Sequence, residues 1–204
     1  MLIGLDFDNT IAGYDAVFNR AAVREGLLST SEALTKQDVR AAVRARPDGD
    51  REWMRLQGRV YGAHMGDATL IDGVGAFLTT CRAKGLAVCI ISHKTEYGHF
   101  DPDRINLRDA ARSWMAAQGF FDAAQFGLSP EMVIFEPTRA EKVQRIGAMG
   151  CTHFVDDLEE VFSEPDFPRQ TRQYLYAPGE GPLPVGAFRA FRHWADISHE
   201  LLGT

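Results

Sequence analysis

No apolar run in the 204-residue chain approaches the roughly 18–20 residues of a membrane-spanning helix. The N-terminus lacks a basic segment leading into an apolar one, so no signal peptide, no membrane partner and a cytoplasmic setting are expected. Cysteine is scarce. Cys81, Cys89 and Cys151 are odd in number, lack C-x-x-C spacing and lie in apolar surroundings, which argues for buried free thiols and against a zinc site. Six histidines show no H-x-x-x-H or H-E-x-x-H spacing. Long basic runs are missing and the net charge is −6, so no nucleic-acid partner is expected. Internal repeats and low-complexity tracts are absent as well.

What remains is an ordinary globular composition, 45% hydrophobic and 25% charged, long enough for one domain or a core with a small insert. Residues 2–7 (LIGLDF) read as a short apolar strand that runs into Asp6, Phe7, Asp8, Asn9 and Thr10. The stretch Asp8-Asn9-Thr10 could simply turn the chain. That leaves Asp6, inside the strand end, unexplained. Open α/β sheets gather their ligands at such strand ends.

Between Gly13 and Leu70 the pattern is helical: 14–26, then 36–46 capped by Thr35, then a helix from Asp50 carrying Trp53, Leu56, Val60 and Tyr61. A simple crossover between parallel strands needs only about a dozen residues, so this segment reads as a small helical cap. A helix with Val74, Phe77, Leu78 and Cys81 follows. The apolar run 86–91 then reads as a buried central strand ending in Ser92, His93 and Lys94. Asp103 is placed to cap the next helix, which carries Leu107, Ala111, Trp114 and Met115. Further strands are read at 132–135, 152–155 and 173–177. Thr138 and Glu141 open a helix containing Lys142, and Asp156-Asp157 closes the fourth strand. A final helix is read over 187–202, with Phe188, Phe191, Trp194 and Ala195 inward.

The alternation predicts an α/β fold: a Rossmann-like, mostly parallel sheet of about five strands flanked by helices, with the cap inserted after the first strand. The boundaries are 1–13 and 70–204 for the core, 14–69 for the cap. Asp6, Asp8, Ser92, Lys142, Asp156 and Asp157 then share one sheet edge.

The segment Asp6-Phe7-Asp8-Asn9-Thr10 resembles motif I, D-x-D-x-T, of the haloacid dehalogenase-like (HAD) superfamily of phosphatases and phosphotransferases. Later signals resemble the remaining HAD motifs in order: Ser92 motif II, Lys142 motif III and Asp156-Asp157 the acidic motif IV. The resemblance implies a HAD-like core with a C1-type cap, and a Mg²⁺-dependent phosphatase. Asp6 would be the nucleophile, forming an aspartyl-phosphate, and Asp8 the acid and base. Ser92 and Lys142 would stabilise the phosphoryl group. Mg²⁺ would be held by Asp6, Asp8 through its backbone carbonyl, and Asp157, with Asp156 behind it. Motif IV departs from the common form, since Asp156 stands where Gly is usual, and the register could slip by one. The short span from Lys142 to Asp157 leaves Lys94 and Arg139 as stand-ins for Lys142. Asn9, Thr10, His93 and Lys94 are candidate substrate contacts. The implied partner is a small phosphorylated metabolite, with a sugar phosphate among the candidates. Nothing in the sequence sets the oligomeric state. Two other classes compete: a phospho-Asp receiver module, in which the acidic pair comes first and the phosphoacceptor later, and a catalytically silent HAD-like scaffold.

Overall fold

The computed structural model describes residues 1–29 and 34–203. Six parallel strands form one sheet in the order β5-β4-β1-β6-β7-β8. They are β1 (Leu2–Leu5), β4 (Ala87–His93), β5 (Val133–Glu136), β6 (His153–Asp156), β7 (Arg172–Tyr176) and β8 (Arg189–Phe191). Two short strands, β2 (Ala12–Gly13) and β3 (Thr69–Leu70), pair separately.

Strand β1 and residues 87–91 of β4 carry no polar side chain because both faces of a parallel sheet are covered. From β1 the chain builds outward to β4 and β5, then returns to place β6 on the other side of β1. Adjacent strands whose connections leave in opposite directions open a crevice at their C-terminal ends. β1 and β6 are that pair. Helix α6 (Arg139–Ala148) and the short α7 (Glu159–Phe162) line one apolar cluster. There Val143 and Ile146 pack with Cys89, Ile91, Phe154 and Leu175. Gly4 is dictated by this packing: a Cβ there would stand 2.4 Å from the Phe154 ring. All three cysteines are free and buried, and the sulfurs of Cys89 and Cys151 lie 3.6 Å apart.

The chain divides into two compact units. The first, Met1–Ala12, Leu70–Lys94 and Gln118–Thr204, holds the sheet with α4 (Val74–Ala83), α6, α7 and α8 (Trp194–Leu202). The second, Gly13–Thr69 and Thr95–Ala117, holds α1 (Asp15–Arg24), α2 (Lys36–Arg44), α3 (Gly49–Tyr61) and α5 (Leu107–Ala117). Segment 95–117, read from the sequence as core, is thus grouped with the helices. Within the helical unit Phe18 stacks on Trp53, Tyr14 meets Tyr61 edge-on, and the Trp114 indole donates to the Ala68 carbonyl.

Three local expectations are corrected. Residues 189–191 form β8, the sixth strand, and the last helix begins at Trp194 rather than 187. Within that helix Ala195 is exposed, while Trp194 and Ile197 face inward. Asn106, not Asp103, caps α5: its side-chain oxygen accepts from the backbone N–H groups of Arg108 and Asp109.

Candidate active site

The β1 end sets the geometry. After Leu5 the Asp6 N–H still donates to the Val155 carbonyl of β6, so Asp6 remains in the ladder. The chain then turns tightly, with the Phe7 carbonyl accepting from Ile11 and Ala12. Asn9 takes the left-handed region, φ 60°, which Asn tolerates better than most non-glycine residues. Thr10 is fully buried. Its hydroxyl lies 3.4 Å from Asp157 Oδ1, and its carbonyl accepts from the Trp194 indole at 3.0 Å.

Asp6 is surrounded by groups from three other elements. Ser92, next to last in β4, donates to Asp6 Oδ1 at 2.8 Å. Lys142, in the first turn of α6, donates to the same oxygen at 2.6 Å and to Asp156 Oδ2 at 2.6 Å. The Lys142 chain lies in the core, with Nζ 5.5 Å from the centre of the Phe154 ring. Burial alone would lower the Lys142 pKa, but Asp156 and Asp6 outweigh it and hold the ammonium above the ordinary lysine range. Burial pushes the Asp156 carboxyl above the usual carboxylate range against the pull of Lys142, and Asp6 adds repulsion. Asp156 Oδ1 also accepts from the Leu158 N–H.

Asp8 lies beside this triad with a different partner. Lys94, 3% exposed, donates to both Asp8 oxygens, at 3.0 and 2.8 Å. The backbone N–H of Lys94 is held by the Glu136 carbonyl of β5. Lys142, rather than Arg139 or Lys94, is therefore the lysine on Asp6. Arg139 instead reaches Glu164 at 3.4 Å and is half exposed. His93 reaches the surface. Desolvation lowers its pKa, Lys142 and Arg139 add to the effect, and a bond to the Pro137 backbone opposes it.

One ligand oxygen each from Asp6, Asp156 and Asp157 lie within 4.8 Å of one another. A cluster of hard carboxylate oxygens is the donor set that a hard divalent cation takes. Asp157 is half-buried, whereas Asp156 already holds Lys142 and the Leu158 N–H. The structure thus brings Asp6, Asp8, Ser92, Lys142, Asp156, Asp157, Thr10 and Lys94 to the C-terminal edge of the sheet. Trp194, which supports the Thr10 carbonyl from α8, carries no sequence signal linking it to residue 10.

No protein-family model and no curated protein matches the chain. Solved structures do. A HAD family hydrolase from Deinococcus radiodurans, with bound phosphate and sodium, matches at 15% identity and a TM-score of 0.59, over 99% of this chain and 95% of its own. Protein Tyrosine Kinase A of Mycobacterium tuberculosis matches at 14% identity and 0.62, over 100% and 98%. YfnB of Bacillus subtilis, described as a HAD hydrolase and bound to magnesium, matches at 12% and 0.53, over 98% of each chain. The chain has the HAD-like fold: a parallel sheet flanked by helices, shared with hydrolases of that superfamily. Among the described residues no helix is long and apolar enough to cross a membrane.

Proposed function

We propose that the protein is a Mg²⁺-dependent phosphatase acting on a small phosphomonoester, a sugar phosphate among the candidates, through an aspartyl-phosphate on Asp6. The observation that carries this reading is the treatment of Asp6. Two donors, Ser92 and Lys142, are fixed on Oδ1 at 2.8 and 2.6 Å, which leaves Oδ2 to attack. Attack forms the Oδ2–phosphorus bond and breaks the bond to the leaving oxygen. Asp8, two residues on, would give that oxygen its proton. It would then take one from the water that cleaves the acyl-phosphate, releasing orthophosphate and restoring Asp6. Ser92 and Lys142 would donate to the phosphoryl oxygens as charge builds there.

A divalent cation fits the carboxylate cluster; Asp6 and Asp157 would hold it, together with the Asp8 backbone carbonyl, and Asp156 would stand behind. When bound, it offsets the repulsion between these carboxylates and an approaching phosphate dianion.

A silent scaffold is the weaker reading. A buried lysine between two carboxylates is often no more stabilising than apolar residues of the same volume, so its presence is better accounted for by chemistry than by folding. The test is phosphate release from a panel of sugar phosphates, nucleotides and phosphoamino acids, with Mg²⁺ or EDTA. Turnover is expected with Mg²⁺, not with EDTA, and is expected to vanish in Asp6→Asn. Turnover that survives Asp6→Asn refutes the mechanism.

A further inference from the structure

Two thiols that the chemistry above does not use meet in the core of the sheet unit. Cys89 lies in β4 and Cys151 in the turn between α6 and β6; both are free and buried, and their sulfurs are 3.6 Å apart. They are separated by 62 residues of chain, and strand β1 stands between β4 and β6. Gly4 of β1 allows the approach. It is opposite Cys89 in the ladder, and a Cβ on it would stand 3.1 Å from the Cys151 sulfur. With no side chain at that position, the thiols reach one another past the middle strand.

A disulfide needs a sulfur–sulfur distance of about 2.0 Å, so one side has to move. Cys151 is the side that can. It belongs to no helix or strand, and its neighbours Gly150 and Thr152 are exposed. Nothing lies within 4 Å of where a Gly150 Cβ would be. The Cys151 N–H and carbonyl are held by Ile146 and Thr171, so a small reagent reaches the sulfur when this surface turn opens transiently. The two thiols are also unequal. The bond between the sulfurs lowers the Cys151 pKa against the effect of burial, and together with burial it raises that of Cys89. The thiolate is the form that attacks, and a neighbouring thiol is what resolves the product. Cys81, in α4, lacks a neighbouring sulfur among the described residues, and burial raises its thiol to about 11.

We propose that Cys89 and Cys151 are a redox pair, closed to a disulfide by a small hydroperoxide. The Cys151 thiolate attacks one peroxide oxygen and the O–O bond breaks. This leaves a sulfenic acid on Cys151, and the departing oxygen takes a proton to become water or an alcohol. The Cys89 thiol then attacks the Cys151 sulfur. The S–S bond forms, the S–O bond breaks, and the hydroxyl leaves with the Cys89 proton as water. The two sulfurs give up two electrons in all, and the peroxide takes them. A dithiol reverses the step.

The test treats the folded full chain with hydrogen peroxide, then unfolds it in urea with an alkylating reagent and digests it for mass spectrometry. The expected product is a pair of peptides joined through Cys89 and Cys151, two hydrogens lighter than their sum and separated by dithiothreitol, with Cys81 alkylated. Chain unfolded before the peroxide is expected to show no preference for this pair. Cys89→Ser is expected to stop at a Cys151 sulfenic acid, trapped by dimedone, and Cys151→Ser to leave Cys89 reduced. The wild-type result decides without either variant. Three alkylated cysteines after treatment overturn the proposal, as does a linkage that includes Cys81, or oxidation of Cys151 to sulfinic acid with Cys89 still reduced. A sulfenic acid on Cys89 in Cys151→Ser overturns the order of attack.

Discussion

Removing the ammonium of Lys142 would leave Asp6 and Asp156 facing one another in the core with no cation between them. Lys142→Met is therefore expected to lower stability by roughly 3–5 kcal/mol, read as a drop in the urea midpoint. Adding Asp156→Leu is expected to recover part of that loss, since the orphaned carboxylate goes with it. A single variant with the wild-type midpoint would show that the triad carries no stability. Gly4 acts on the same residue from beneath. A methyl group there meets the Phe154 ring at 2.4 Å, and that ring underlies Lys142 Nζ. Gly4→Ala is expected to cost about 1–3 kcal/mol in the same measurement, through overpacking. At this scale the sequence was most informative where chemistry and chain geometry coincide. Asp6, Ser92 and Asp156 lie at or next to strand ends and Lys142 in the first turn of a helix, so a pattern of strands and helices suffices to bring them to one edge. It says nothing of Trp194, whose bond to the Thr10 carbonyl spans 184 residues. Nor does it say that Lys94 would settle on Asp8.

Elements were legible in proportion to how locally they are determined. Helix α2 begins at a complete capping box: Thr35 accepts from the Asp38 N–H, and Asp38 accepts from the Thr35 N–H. Such an element announces itself. Thr35→Ala is expected to cost about 1 kcal/mol, measured by thermal or urea unfolding, and no loss would mean that packing alone defines this end. Strand β8 is the opposite case. Phe188 and Phe191 stand three apart, a helical spacing, and only three residues pair with β7. Its conformation comes from the neighbouring edge, with Tyr174 opposite Arg189 and Tyr176 opposite Phe191. No window of the sequence holds both partners. The cap of α5 differs from the expected one for a smaller reason. Both Asp103 and Asn106 can cap, and the choice falls to the residue whose side-chain oxygen reaches the N–H groups of Arg108 and Asp109.

At the scale of the whole chain, the helical unit is assembled from two separate stretches, 13–69 and 95–117. The second brings α5, whose Leu107, Ala111, Trp114 and Met115 are buried, and whose indole bonds the Ala68 carbonyl contributed by the first. Deleting 14–69 alone would strip α5 of those neighbours while leaving it in the chain. That product is expected to aggregate in light scattering. Removing both stretches and closing each gap with a short Gly/Ser linker is expected to give a soluble α/β unit with a cooperative unfolding transition. A soluble, cooperative product from the single deletion would mean that α5 needs none of the first stretch.

The order in which residues are joined and the grouping in which they fold are thus different partitions of this protein. A gene for the sheet alone cannot be obtained by one excision. It takes two cuts and two splices, and an insertion or duplication that respected only one boundary would carry half of a hydrophobic core to the wrong place.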